Sequence, residues 1–120
     1  MVTSLMLQVE NLTRNTVLVE QGWVADHFWR KFRGLMGVRM LPQGAGLLLP
    51  ACNQVHTHFM RIPLDVLYVD SGHLIVAIDP ALPPWRIGRQ QPQAAYVLEL
   101  PSGTAARTHC QVGDQLWIKR

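Results

Sequence analysis

The amino-acid sequence predicts a mainly β fold, an antiparallel β-barrel or sandwich of about seven to nine short strands with one short α-helix near residues 25–36. Three observations support this prediction. Short runs of apolar and β-branched side chains recur along the chain, bounded by proline, glycine, asparagine and serine. A single segment follows the period of a helix. Strands do not alternate with long helical segments, so a parallel sheet built from strand–helix–strand units is not expected.

The first two strands are predicted to form a hairpin. Residues 4–10 partly alternate between apolar and polar side chains, and residues 16–20 are rich in β-branched side chains. Residues 11–15 between them are polar and typical of a turn. The chain is therefore expected to open with two antiparallel strands.

The helix is predicted from a change of period. Ala25, Trp29, Phe32 and Met36 are separated by 4, 3 and 4 positions, which places them on one face of a helix. An acidic residue near the start of this segment and basic residues near its end suit the helix dipole. The segment is therefore assigned as the helix of the domain.

The remaining strands follow from short apolar runs. The clearest hairpin joins residues 64–70 to residues 73–78 through the two-residue turn Ser71-Gly72. Residues 101–108 are predicted to form one helical turn. Further strands are predicted at residues 47–49, 55–61, 96–100 and 115–118.

Length and charge restrict the class of protein. The 120 residues are expected to form a single domain, 1–120, because a chain of this length buries a core without metal or disulfide support. The net charge is +3 without a concentrated basic patch, so no nucleic-acid partner is expected. Neither a signal peptide nor a membrane span of ~20 apolar residues is recognised. We expect a cytoplasmic protein, a monomer or a weak dimer.

One polar segment interrupts the apolar pattern, His56-Thr57-His58-Phe59-Met60-Arg61-Ile62-Pro63-Leu64-Asp65. Residues two apart on a strand point to the same face, about 6.5 Å apart, so His56 and His58 are able to chelate one metal with Cys52 or Asp65 as a third ligand. The alternative is a pair of structural histidines that hydrogen-bond within the fold. The second interpretation is preferred, and no metal or other cofactor is expected.

Asp65 shares a face with Leu67 and Val69 in the predicted strand. An aspartate on an apolar face needs a cation or backbone amides as partners. Arg61 or Arg33 is a candidate cation. The residue is therefore either a structural anchor or a polar group in the floor of a pocket.

Two further segments carry candidate binding residues. Arg33 and Gly34 close the predicted helix, where an arginine and free backbone amides suit an anion. Trp85 and Arg86 follow two prolines in a stiff loop, which suits a peptide or a phosphate-bearing ligand. Each pair also has a purely structural interpretation, as a helix stop and as a loop that covers the barrel mouth.

The sequence does not favour an enzyme. Cys52 has histidines nearby but no identifiable group that orients them, and no nucleotide-binding or serine-hydrolase motif is present. Glu99 is a charged residue within an apolar run and is predicted to lie on the surface. Catalytic residues are therefore not assigned.

Several of these segments together resemble one family, the domain of unknown function family 192. They are Arg33 to Gly37 with Leu41-Pro42, His56 to Asp65 with Val66 to Val69, Val97 to Gly103, and Gly113-Asp114. The resemblance covers about residues 8–118. It implies a compact β-rich domain and no agreed reaction. Many members of the family carry Phe-Trp-Met where this chain has the variant with His56, and many carry a leader.

Three hypotheses about function follow. The first is a non-catalytic binding or accessory domain for a small anionic ligand or a peptide, with a polar pocket around Arg33, Arg61 and Asp65. Its candidate ligand-binding residues are Arg33, Gly34, His56, His58, Arg61, Asp65, Trp85 and Arg86. The second is a structural motif in a domain whose function lies in a protein–protein surface. The third is a metal-dependent enzyme that uses His56 and His58.

Overall fold

Seven strands and one short helix follow the apolar runs of the chain, in a computed structural model that describes residues 7–25, 40–54, 61–88 and 90–120. The predicted mainly β class is confirmed. The helix predicted near residues 25–36 lies outside the described residues apart from Ala25. The elements are β1 Leu7–Asn11, β2 Thr16–Val24, β3 Leu47–Pro50, β4 Leu64–Val69, β5 Ile75–Leu82, β6 Tyr96–Pro101, α1 Thr104–Arg107 and β7 Leu116–Lys119.

The strands form one mixed sheet in the order β5-β4-β6-β3-β2-β1-β7. Every neighbouring pair is antiparallel except β2 and β3, which pair in parallel at Trp23 and Val24. The two edge strands meet at one end of the sheet. There the amide of Ile75 donates to the carbonyl of Asp114 at 3.0 Å, and the amide of Leu116 donates to the carbonyl of His73 at 2.8 Å. The sheet is therefore curled into a half-barrel that closes at this end.

Both faces of the central strands are buried. All six residues of β4 and all six residues of β6 are classed as buried. Side chains alternate between two apolar clusters, because successive residues of a strand point to opposite faces. The first core contains Leu67 and Leu98 together with residues of the edge strands. The second core contains Val66 and Val97 on the opposite face.

This double burial makes the predicted surface position of Glu99 wrong. Glu99 lies on β6 and is only 5% exposed to solvent. It stands opposite Leu47 of β3 and Val66 of β4, both of which belong to the second core. Alternation along a strand identifies a solvent face only where one side of the sheet meets water, and β6 has no such side.

The hairpin between β4 and β5 has a longer loop than the predicted two-residue turn. The amide of His73 donates to the carbonyl of Asp70, and the amide of Asp70 donates to the carbonyl of Leu74. His73 takes the left-handed conformation, with φ 67°. The Asp70 Oδ1 accepts the amides of Gly72 and Leu74 at 2.9 Å each, and the His73 ring lies 2.9 Å from the Tyr96 hydroxyl. These contacts hold a non-glycine residue in a conformation that usually favours glycine.

Candidate functional site

Asp65 is the most completely buried of the predicted site residues that the structure describes, at 1% exposure. It lies where the pairing of β4 with β5 is irregular, between Leu64 and Val66. Its Oδ1 accepts the amide of Ala81 at 2.8 Å, and its Oδ2 accepts the amide of Ala105 at 2.8 Å. Each carboxylate oxygen therefore has a backbone donor.

These two bonds join distant parts of the chain. Ala105 is in the first turn of α1, where backbone amides have no partner within the helix. The N-cap residue of α1, Gly103, offers no side chain for capping. Ala81 has φ 49°, a left-handed conformation near the end of β5. Asp65 thus supplies a cap to α1 and fixes the backbone at the exit of β5.

The partner of Asp65 is therefore the backbone rather than an arginine in the described part of the chain. Of the two candidate cations, Arg61 is exposed, and Arg33 lies outside the described residues. A different arginine, Arg14, forms an ion pair with a different carboxylate, that of Asp114. The geometry matches the amide partners that a buried aspartate requires.

Trp85 and Arg86 lie on the loop from Pro83 to Gly88, which we call the tryptophan loop. Trp85 is 55% exposed and has φ 62°, and Ile87 is 64% exposed. Arg86 is also exposed. The loop thus presents two large apolar side chains and a guanidinium toward solvent.

The tryptophan loop is tied to the segment that precedes the histidine motif in sequence. The Nε2 of Gln54 donates to the carbonyl of Gly88 at 3.0 Å. Just beyond the loop, the amide of Gln91 donates to the carbonyl of Asn53 at 2.9 Å. Asp65 fixes Ala81 at the other end of the same connection. The loop is therefore held from both sides while its tip stays exposed.

Four predicted site residues, Arg33, Gly34, His56 and His58, lie outside the described residues, so their places in a pocket stay predictions. Among residues 7–25, 40–54, 61–88 and 90–120, no group of three or more His, Cys, Asp or Glu side chains is placed to hold a metal ion.

Two buried carboxyl groups on the second face of the sheet were not predicted as candidates. β4 lies between β5 and β6, and its Val66 pairs with Asp79 of β5 on one side and with Glu99 of β6 on the other. Two strand spacings separate them, about 10 Å between Cα atoms. The Tyr68 hydroxyl donates to Asp79 at 2.9 Å, whereas the Oε1 of Glu99 has no hydrogen-bond partner in the described part of the chain. Burial raises the pKa of Glu99 to about 7.

A polar cluster at the closed end of the half-barrel is held together by hydrogen bonds to Asp114. The Oδ2 of Asp114, 2% exposed, accepts Asn11 Nδ2 at 2.9 Å, Arg14 Nε at 3.1 Å and the amide of Gln111 at 3.0 Å. Burial raises the pKa of Asp114, but these hydrogen bonds outweigh burial and hold the pKa below its usual value. The cluster joins the β1–β2 turn to the entry of β7, which is a structural task.

The similarity to known proteins agrees with this fold. The model of one protein family, DUF192, described as an uncharacterised ACR family, matches residues 9–118. The chain belongs to the domain of unknown function family 192. A relative in this family is the UPF0127 protein of Thermococcus sibiricus, 29% identical over 110 residues, which are 88% of this chain and 71% of the relative.

Two solved structures share the fold. One is a protein of unknown function from Novosphingobium aromaticivorans, with a TM-score of 0.81, 21% identity, and coverage of 94% of this chain and 84% of that chain. The other, from Sinorhizobium meliloti, is described as a proposed transcription regulator, with a TM-score of 0.80, 24% identity, and coverage of 92% and 90%. At these identities the likeness establishes the fold alone.

None of the helices in the described residues has the length and apolar character needed to cross a bilayer.

Proposed function

We propose that this chain is a non-catalytic binding or accessory domain that uses the tryptophan loop to recognise a small anionic ligand or a peptide. The proposal rests mainly on Trp85, which is 55% exposed in a left-handed conformation, φ 62°. That conformation costs a non-glycine residue about 1–2 kcal/mol and persists only where the surroundings impose it. Exposure of a large aromatic ring in such a position favours a recognition role.

The neighbouring side chains suit the same role. Arg86 carries a planar guanidinium that forms paired hydrogen bonds with a carboxylate or phosphate. Ile87, 64% exposed, adds apolar area beside the ring. The hydrogen bond from Gln54 to Gly88 already holds the end of the loop, so ligand binding would cost less conformational entropy. A ligand with one anionic group and one apolar group fits this combination.

In this proposal Asp65 is a positioning residue. Its carboxylate fixes Ala81, which precedes the tryptophan loop, and both oxygens already accept amides. Arg61 is exposed and available to an anionic ligand. Arg33, Gly34, His56 and His58 remain part of the proposed pocket on the strength of the sequence alone.

The contacts of Asp65 also support the alternative that the polar motif is structural and that the function is a protein–protein surface. A buried carboxylate with two amide donors needs no ligand to explain it. In that case the apolar tip of the tryptophan loop would meet a protein partner.

A thermal-shift screen of the metal-free protein tests the proposal. The probes are inorganic phosphate, ribose 5-phosphate, adenosine monophosphate, short peptides with free carboxyl termini, and divalent metals. A ligand at ~100 times its dissociation constant adds ~2.7 kcal/mol of stability. We expect a phosphate or peptide to raise the melting temperature, and Trp85→Ala and Arg86→Ala to abolish the rise.

The matched control is Trp117→Ala, because Trp117 is comparably exposed, at 48%, on β7. The rise should survive in that variant. Stabilisation by zinc that disappears in His56→Ala would contradict the proposal and favour the metal-dependent enzyme. The absence of any stabilising anion or peptide would also contradict it and would favour the protein–protein surface.

A further inference from the structure

A concave surface that shares no lining residue with the tryptophan loop lies between β2 and the turn that precedes β3. Its volume is about 660 Å³, within the range of small-molecule sites. We call it the glutamine cleft, after the three glutamines among its described lining residues. These residues are Gln8, Glu20, Gln21, Gly22, Trp23, Pro42, Gln43, Gly44 and Ala45.

The cleft continues into a smaller hollow of about 380 Å³. Both are lined by Glu20, Gln43 and Gly44, and the smaller hollow is also lined by Arg107 and Thr108. A ligand that fills both would contact these three shared residues.

Backbone hydrogen bonds fix the floor of the glutamine cleft. The amides of Glu20 and Gln21 donate to the carbonyl of Gly44 at 2.7 and 3.0 Å, and the amide of Trp23 donates to the carbonyl of Gly46 at 3.0 Å. Gly44 has φ +87°, and a Cβ there would lie 3.1 Å from the Glu20 carboxylate. The floor is thus built from main chain, and the amides on this side of β2 are already engaged.

Engaged backbone amides disfavour an extended peptide as the ligand. A peptide added to a sheet edge derives its affinity from unpaired main-chain donors and acceptors. Glu20, Gln21 and Trp23 offer none of their amides for that purpose. Recognition in this cleft has to come from side chains.

The side chains that surround the cleft are available and mostly uncharged. Gln8, Glu20, Gln21 and Gln43 are all exposed, and none forms a side-chain hydrogen bond with the described part of the chain. Each glutamine offers two donors and one acceptor, and the carboxylate offers acceptors only. Glu20 is the single charged residue among the described residues that line the larger cleft, and Arg107 is the one positive residue among those that line the smaller hollow. The two charges balance, which favours a ligand without net charge.

We infer that the glutamine cleft binds a neutral, hydroxyl-rich ligand of the class of short oligosaccharides. Hydroxyl groups donate and accept at once, which matches a lining that contains both amide and carboxylate groups. The half-buried Trp23 in the wall supplies apolar aromatic surface for the carbon face of a sugar ring. The glutamine cleft and the tryptophan loop share no lining residue, and the ligands proposed for them differ in charge. An experiment can therefore refute one proposal and leave the other intact.

The test is a titration of ¹⁵N-labelled protein with cellotetraose, maltotetraose and chitotetraose, followed by NMR, with tetraglycine as the peptide comparison. We expect at least one sugar at millimolar concentration to shift the resonances of Gln21, Gln43 and the Trp23 indole. Resonances of the tryptophan loop should stay in place.

Two variants and one control make the result specific. The double variant Gln21→Ala/Gln43→Ala should weaken sugar binding about tenfold, since each lost hydrogen bond contributes modestly. Gln93→Ala removes an exposed glutamine outside the cleft and should leave the affinity unchanged. The inference is overturned if none of the three sugars shifts the cleft resonances, if binding survives the double variant, or if tetraglycine binds there instead.

Discussion

Glu99→Gln should remove a pH dependence from the stability of this protein. Glu99 is 5% exposed on β6, an inner strand of the sheet, and its Oε1 has no hydrogen-bond partner in the described part of the chain. Taking a carboxylate out of water without a partner disfavours the charged form. Burial accordingly raises the pKa from 4.5 to about 7. The folded protein therefore keeps the Glu99 carboxyl neutral at a pH where the unfolded chain has lost the proton.

The sign and size of the effect follow from linkage. Between pH 4.5 and about 7 the folded state binds more protons at Glu99 than the unfolded state does, so the free energy of unfolding falls as the pH rises. This contribution is fully present below pH 4.5 and is lost as the pH passes the folded pKa of about 7. The interval between the two pKa values corresponds to about 3 kcal/mol.

Urea denaturation at a series of pH values from mildly acidic to mildly alkaline measures the effect. The free energy of unfolding of wild type minus that of Glu99→Gln should fall by about 3 kcal/mol across the interval, because the two proteins differ only at the titrating Glu99 carboxyl. The variant should be the more stable protein at alkaline pH. The control Glu20→Gln replaces an exposed carboxyl group and should keep the wild-type profile. Parallel profiles for wild type and Glu99→Gln would refute the reasoning.

Three further predictions concern stability, measured by urea denaturation. Asp65→Asn should lower the free energy of unfolding by about 1–4 kcal/mol, because each carboxylate oxygen of Asp65 accepts a different backbone amide. The control Asp70→Asn should change it by less than about 0.5 kcal/mol, because a single oxygen of Asp70 accepts both amides and asparagine keeps one such oxygen. Equal losses would contradict this account. Gly22→Ala would place a Cβ 2.5 Å from the backbone oxygen of Gly46 and should lower the free energy of unfolding by about 2 kcal/mol or more. In the control Gly72→Ala the atom nearest to the new Cβ is 3.5 Å away, and the loss should be less than about 1 kcal/mol. Asp114→Ala should cost about 3 kcal/mol at neutral pH because three donors lose their acceptor. Because the pKa of Asp114 is lowered, the advantage of wild type over this variant should shrink as the pH falls below 3.8; a constant difference would argue against it.

The strands were predictable because their signals are local. The runs that became β2, β4 and β6 are rich in apolar, β-branched and aromatic side chains, which fit a buried pleated surface. The helical turn predicted within residues 101–108 is also present, as α1. The parallel pairing of β2 with β3 was not predicted, because it joins strands that are separated by a long connection without a strand–helix–strand pattern.

The candidate site was harder to predict for a physical reason. The sequence indicated that Asp65 needs a partner, but backbone amides carry no sequence signature. The two amides that it binds lie 16 and 40 positions away. The glutamine cleft raises the same difficulty, since Gln8, Gln21 and Gln43 are brought together only by the pairing of β1 with β2 and by the turn at Gly44. Both sites are formed by contacts between segments that lie far apart in the sequence, so local patterns do not reveal them.

The position of Asp65 has a consequence for the choice of variants in any binding experiment. A polar residue on an apolar face stands out in a sequence, yet in this fold its carboxylate is engaged by Ala81 and Ala105. Asparagine has one acceptor oxygen for these two amides, so Asp65→Asn releases either Ala81 before the tryptophan loop or Ala105 of α1. Lost binding in that variant would not distinguish contact with a ligand from support of the fold. Arg86→Ala or Trp85→Ala removes an exposed side chain without touching those bonds. A ligand that binds Asp65→Asn weakly but whose affinity is insensitive to both loop variants would place the site elsewhere on the protein.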